Sequence, residues 1–430
     1  MLILESKVED GTFPSTVDAC VIDGNFMLHA VPTNIPATYG GLARKLLVLI
    51  MSLSPRPVDI VFDTYKTPSI KDLERGTRGA EDTVYKIKGP EQARPKKLSD
   101  AFKSASFKAQ RLAFLVVGWE KPEYAHIIGK RYLFVVQDSI CHYFHVQGGK
   151  VNKPNQTKVI KDVISSLATN HQEADTRVCL HMKAISDSGV GGNTVVRASD
   201  TDIAVILLYH CHKYATTVWM DVGTSKRRCI NITAIAKKIG HDMCAALPGL
   251  HAFTGCDYTS SFVKAGKGRP FTLVEKSHVF KRAFAGLAET EVTDEIVASL
   301  EQFTCALYRF PSESSINMAR WKSFEKAFGP VAKSRTPLQK LKGMDASSLP
   351  PCRAELSNHK KRSGFVARMW ADADQPFIEQ EPHEGWEVVD GRYDIVWFSG
   401  PQLPEDLCPE DDTNEELVLS SDDEVFYLED

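Results

Sequence analysis

Residues 16–63 read TVDACVIDGNFMLHAVPTNIPATYGGLARKLLVLIMSLSPRPVDIVFD, and this stretch decides the fold. Thr16–Ile22 has the apolar character of a buried strand and ends at Asp23-Gly24-Asn25. Tyr39–Leu53 carries Leu42, Leu46, Leu47 and Ile50 on one side of a helix, which Pro55 and Pro57 stop. Val58–Phe62 is a second apolar strand, ending at Asp63. Strand, helix, strand with short links is a parallel unit of an α/β sheet. Both strands run out into an aspartate, at the edge where α/β proteins place their sites.

Working outward, Leu112–Val117, Tyr132–Val136 and Thr194–Ala198 are predicted strands, and Thr216–Asp221 with Arg228–Ile232 reads as a strand pair. Thr157–Thr169, Ala174–Ile185 and Thr233–Leu247 are predicted helices. Thr233 is the expected N-cap of the last, and Pro248 follows it. Beyond residue 290, Glu291–Tyr308 and Ser315–Phe328 are helical in pattern, and Gly385–Phe398 is a hairpin turning at Asp390-Gly391. The expected architecture is α/β: a mainly parallel sheet flanked by helices, with a C-terminal helical and β-hairpin region. Residues 1–290 form the expected main domain, 291–400 a C-terminal region, and 401–430 an acidic disordered tail.

The 430-residue chain is 43% hydrophobic and 25% charged, ordinary for a globular protein. Its net charge of −3 hides an asymmetry, because residues 404–430 hold twelve acidic side chains and no basic one. Without them the body stands at +9, a charge suited to nucleic acid. Residues 64–111 alone hold twelve Lys or Arg against six Asp or Glu. The ten cysteines form no C-x-x-C pair, which excludes a zinc ribbon or a thioredoxin-type motif. The N-terminus has no signal-peptide pattern, and no apolar run is long enough for a membrane span. Reduced thiols and a cytoplasmic or nuclear location are expected, with the nucleus favoured. Neither G-x-x-x-x-G-K-[ST] nor G-x-S-x-G occurs, which disfavours a P-loop ATPase and a serine hydrolase.

Seven acids then stand out: Asp23, Asp63, Glu173 and Asp175 in HQEADTR, Asp200 and Asp202 in RASDTD, and Asp257 in TGCDYT. Singly, each could cap a helix or make a turn. Together at a sheet edge they would repel one another unless divalent cations lay between them. Hard cations such as Mg²⁺ take oxygen ligands and leave positions open for phosphate. Two such ions can clamp the attacking and leaving oxygens of a phosphodiester. Downstream, Lys264, Lys267 and Arg269 flank Gly266 and Gly268, a loop that could approach a phosphate. Lys71, Arg75 and Arg78 share one helical face.

In order and spacing these motifs resemble the PIN-like nucleases of the flap endonuclease/XPG (5'-3' exonuclease) class, over residues 16–275. VFDTYKTPSIKDLERGTRG is similar to that family's strand-end aspartate and basic helix, HQEADTR to its E-A-E/D element, RASDTD to its D-x-D. TGCDYTSSFVKAGKGRPF resembles the G-x-D-Y element leading into a helix–two-turn–helix, here residues 255–275. The resemblance implies two Mg²⁺ or Mn²⁺ ions on the seven acids. It also implies a basic arch at 64–111, in which Lys71 and Arg78 hold the scissile phosphate. Arg75, Lys264, Lys267 and Arg269 are the expected nucleic-acid contacts. Residues 303–397 resemble uncharacterised animal proteins, some derived from mobile elements, which implies no activity.

The expected function is metal-dependent, structure-selective hydrolysis of DNA or RNA, with DNA favoured, by a monomer. Residues 300–400 or the acidic tail are the expected protein-partner regions. The alternative is a PIN-like nucleic-acid-binding or scaffold protein without turnover.

Overall fold

The first two strands form as Ala19–Asp23 (β1) and Val58–Val61 (β2), parallel, with Cys20 opposite Val58 and Asp23 opposite Val61. The computed structural model describes residues 2–8, 12–29, 34–53, 57–65, 68–72, 84–148, 157–224, 226–328, 345–398 and 400. The acidic tail, Arg75 and Arg78 lie outside the described residues.

Six further strands complete the sheet: Leu133–Gln137 (β3), Ile140–Gln147 (β4), Lys158–Val163 (β5), Asn193–Arg197 (β6), Thr217–Val222 (β7) and Arg228–Asn231 (β8). Their order is β5-β4-β3-β2-β1-β6-β7-β8. The central run from β3 to β7 is parallel, and β4, β5 and β8 add antiparallel edges. The chain steps from β1 outward through β2 and β3, then returns to the other side of β1 as β6. Such a reversal of strand order opens a crevice beyond the carboxyl ends of the strands.

Alternation along β1 builds two cores. Cys20 and Ile22 point to a face covered by helices Tyr39–Ser52 and Ala105–Gly118, through Leu46, Leu47, Phe107 and Leu115. Ala19 and Val21 point to the other face, covered by Ala174–Asp187, Thr201–His210 and His241–Phe253 through Val178, Ile203 and Phe253. The C-terminal helices Asp294–Leu307 and Arg353–Ala371 add Leu300, Phe303 and Trp370 to this second core. The predicted hairpin is Trp386–Val389 (β9) and Arg392–Ile395 (β10), with Asp390 and Gly391 both at positive φ in the turn.

Three expectations are corrected. Leu112–Val117 is not a strand but the second half of helix Ala105–Gly118: Phe107, Arg111, Leu112, Leu115 and Val116 are buried at helical spacing, while Val117 is 63% exposed. Thr157–Thr169 is not a helix. Its first half is β5, because the antiparallel hydrogen bonds that β4 offers outweigh the helix-like spacing of Val159, Ile160 and Val163. Thr233–Leu247 is two helices, Ile232–Ile239 and His241–Phe253, broken at Gly240 with φ +81°.

Candidate active site

Asp23 closes β1, Asp63 follows β2 by two residues, and Asp200 follows β6 by three. Since β2 and β6 flank β1 in parallel, the three acids share one sheet edge. Glu173 and Asp175 open the helix Ala174–Asp187, and Asp202 lies in the first turn of Thr201–His210. Gly24 belongs to this construction, because a Cβ there would stand 2.2 Å from the Phe62 ring.

Asp23 and Asp200 do cap helices, but with one oxygen each. Asp23 Oδ1 accepts from the amides of Asn25 (2.9 Å) and Phe26 (3.1 Å), and Asp200 Oδ1 from that of Asp202 (2.9 Å). Asp63 caps a helix other than its own: its Oδ1 accepts from the Ala174 amide at 2.8 Å. Its Oδ2 accepts from Asn25 Nδ2 at 2.6 Å and from the Tyr65 hydroxyl at 3.2 Å. Glu173 occupies the N-cap position of that helix but caps nothing. Its carboxylate turns inward to Lys71.

Lys71 is buried at the centre. Its Nζ lies 3.3 Å from Glu173 Oε2, 3.5 Å from Asp175 Oδ2 and 3.9 Å from Asp257 Oδ2, and 4.6 Å above the Tyr258 ring. Burial alone would lower its pKa, but Glu173 and the other acids raise it well above the usual lysine value. Asp202 has a different partner, His251 Nε2, at 2.8 Å. Burial pushes Asp202 up, yet the hydrogen bond from His251, with the charges of Lys71 and Lys267, brings it below the ordinary carboxylate value. His251 is itself lowered by burial, so a neutral ring donating through Nε2 fits both groups.

The remaining acids feel mutual repulsion. Burial and the Asp63 charge raise Asp23 to about 7. Asp200 reaches solvent, but surrounding protein atoms and Asp202 raise it to about 6. Burial, with Asp200 and Asp202, raises Asp175 well above its ordinary value despite Lys71. Carboxylates crowded until they hold protons near neutral pH form an oxygen-only donor set that fits a hard divalent cation. Among the described residues, no three such side chains stand close enough as they are to hold one ion.

The downstream basic residues divide. Lys264 is exposed, at φ +60°. Lys267 turns inward: its Nζ donates to the carbonyls of His251 (2.8 Å) and Gly255 and to Thr254 Oγ1 (2.9 Å). It thereby braces the turn leading to Asp257, and burial lowers it to about 8. Arg269 donates to the Ala306 carbonyl at 2.7 Å.

Sequence reading missed Asn25, Tyr65, His251 and Arg177. Arg177 is 1% exposed and donates to the carbonyls of Phe62 (2.8 Å) and His171 (2.9 Å from Nε) and to Thr64 Oγ1. It ties the segment after β2 to the HQEADTR turn. Its place four residues after Glu173 was the available signal: one helical turn inward, facing the same sheet edge.

No family model and no curated protein matches the chain. Among solved structures, it is similar to the flap endonuclease of bacteriophage T5, seen in a pseudo-enzyme–product complex with DNA and metal ions. Identity is 12%, covering 75% of this chain and 98% of that one, with a TM-score of 0.34.

Proposed function

We propose that this chain is a metal-dependent nuclease of the flap endonuclease type, hydrolysing phosphodiester bonds in nucleic acid, with DNA favoured over RNA. The observation that carries the reading is the gathering of acids from three adjacent strand ends and two helix starts at one sheet edge, around a buried ammonium. Asp23, Asp63, Glu173, Asp175, Asp200, Asp202 and Asp257 would hold two Mg²⁺ or Mn²⁺ ions. Bound there, the ions supply Lewis acidity and charge neutralisation at the phosphate. Asn25 fixes the Asp63 carboxylate and His251 that of Asp202, as outer partners orient ligands in metal sites. Lys71, beside three of the acids, would offer its ammonium to the phosphate. Arg78 joins it by family resemblance, with Arg75 and Lys264 as strand contacts. The corresponding cellular reading is a nuclear monomer, and no helix among the described residues is long and apolar enough to cross a membrane.

One observation favours a second reading, a nucleic-acid-binding module without turnover. Lys71 already supplies counter-charge to Glu173, Asp175 and Asp257 from within the chain.

The deciding experiment is cleavage of labelled flap, single-stranded and duplex DNA and RNA with Mg²⁺, Mn²⁺ or EDTA. Metal-dependent cutting by the wild type, lost in Asp200→Ala/Asp202→Ala, is expected. Salt-sensitive binding with no cutting in either metal would replace the nuclease by the binding module.

A further inference from the structure

A second basic feature lies beside Asp63, apart from Lys71. Arg111 projects from helix Ala105–Gly118 and is 1% exposed. Its guanidinium carbon is 5.9 Å from the centre of the Phe62 ring and 5.1 Å from that of Phe102. No hydrogen-bond partner reaches any of its three nitrogens among the described residues. Burial lowers it only to about 10, so it stays charged at neutral pH. A buried cation left without acceptors is unfavourable, and such a group calls for a cause, a bound water or ion among them.

The guanidinium lines a cavity of about 30 Å³ together with Asn25, Asp63, Tyr65, Lys108 and Asp138. That volume admits roughly two waters, or the oxygens of one small anion. Lys108, one helical turn before Arg111, holds its Nζ 4.9 Å above the Tyr65 ring and brings a second positive charge to the cavity. Two acids also line it. Asp63 accepts from Ala174, Asn25 and Tyr65, which turn both of its oxygens to neutral donors, and Asp138 is the second opposing charge, so the two acids set against the two cations leave room for an anion only on the Arg111 side.

We propose that this cavity is a phosphate subsite, in which Arg111 and Lys108 bind a phosphate group of the nucleic-acid strand other than the one at the carboxylates. The planar fork of an arginine matches two phosphate oxygens at once, and a cavity with room for about two waters takes two such oxygens while the rest of the group stays outside. The proposal rests on the nucleic-acid reading above, and it assigns a role to helix Ala105–Gly118 that none of the seven acids requires. A phosphate at a strand end and one in the strand interior present the same chemistry to this pair, and the test separates the two.

The test measures equilibrium binding of the full-length chain to a short single-stranded oligonucleotide, labelled at its 3' end, in EDTA so that no turnover occurs. Arg111→Met should weaken binding roughly tenfold or more, the usual scale for losing a charge-assisted pair. Lys108→Met should weaken it less. Circular dichroism and Tm should show Arg111→Met folded, at least as stable as the wild type. Inorganic phosphate should raise the wild-type Tm and leave that of Arg111→Met unmoved. A wild-type preference for a 5'-phosphorylated over a 5'-hydroxyl oligonucleotide, erased in Arg111→Met, assigns a terminal phosphate. Equal losses on both assign an internal one. A folded Arg111→Met with wild-type affinity for both strands and an unchanged phosphate response overturns the subsite. Were Arg111→Met unfolded, the wild type decides: a phosphate-induced rise in Tm that Lys108→Met reduces supports the subsite, and no rise overturns it. Because binding is read without metal, a chain that binds through Arg111 yet never cuts removes the nuclease reading alone. A chain that cuts normally with Arg111→Met removes the subsite alone.

Discussion

Arg177 and Arg111 are both 1% exposed, both lie close to the segment that carries Asp63, and burial lowers both to about 10. Arg177 donates to Phe62, His171 and Thr64, whereas Arg111, among the described residues, meets the faces of two phenylalanine rings and no hydrogen-bond acceptor. Equal burial therefore covers two different physical situations. One arginine is part of the scaffold, because the Phe62 carbonyl after β2 and the His171 carbonyl before helix Ala174–Asp187 have it as their donor. The other is a charge held in place with its hydrogens uncommitted. Burial alone does not separate structure from function here, and the inventory of acceptors does.

The largest expected effect lies on the Arg177 side. Arg177→Met strands the carbonyls of Phe62 and His171 in the interior, and should cost about 3–5 kcal/mol in urea unfolding. Arg111→Met should fall within about 1 kcal/mol of the wild type, or above it, since no acceptor is left behind. Equal losses for the two variants would erase the distinction.

Lys71 stands between these cases, paired with acids that the proposed function would give to metal. On that reading, Lys71→Met should lower cleavage roughly 10²–10³-fold, the scale of losing one positioned charge at a reacting phosphate. Lys71→Arg should recover part of it. Full activity in Lys71→Met would make the residue a structural counter-ion only.

A smaller effect is expected at His251, the donor to Asp202. His251→Leu should destabilise the fold by about 1–2 kcal/mol and move the Asp202 carboxyl upward, as NMR titration would detect. An Asp202 that titrates as before would show that its low value comes from Lys71 and Lys267 instead.

How much of this was legible in the sequence follows from what each feature depends on. Strands β1, β2 and β6 were readable because each is a short apolar run stopped by an acid, and parallel pairing then brings Asp23, Asp63 and Asp200 to one edge. Helix Ala105–Gly118 was half hidden: the run LAFLVV fits a buried strand equally well, and only the burial of Arg111 and Phe107, one and two turns before Leu115, decides for helix. Helix Arg353–Ala371 was missed because NHKKRS looks solvated, although Lys360 and Arg362 are buried in it. The side chains that arrange the site were least visible. His251 reaches Asp202 across 49 positions and Asn25 reaches Asp63 across 38, and no local spacing encodes such pairings.

The smallest expected effect is the pH dependence of the metal-free protein. Asp23 and Asp200 have folded-state values of about 7 and about 6, against an ordinary 3.8, and Asp175 is raised in the same direction. Between about pH 4 and 7 the folded chain holds protons at these sites that the unfolded chain has released. Stability contributed by these groups is therefore highest at acid pH and is lost as the pH rises through 6 and 7. His171, His210 and His359, which burial lowers from 6.5 to about 4, work the other way: between pH 4 and 6.5 the unfolded chain binds their protons and the folded chain does not, so they add stability as the pH rises, and the acids set the slope alone only from about pH 6.5 to 8. Above about pH 8 the acids are ionised in both states and their decline ends, and Lys267, lowered to about 8, adds stability as the pH rises further because it loses its proton in the fold before it does in the unfolded chain. From pH 6.5 to 8 the Tm should fall by a small amount (about 1–2 °C), and Mg²⁺ should raise it more at pH 8 than at pH 5.5. Asp23→Asn should flatten the slope, since an amide carries no charge to repel Asp63. A Tm that rises steadily from pH 6.5 to 8 without metal would show that the acids are already neutralised from within, Lys71 being the cation at hand, and would shift the balance toward the binding module.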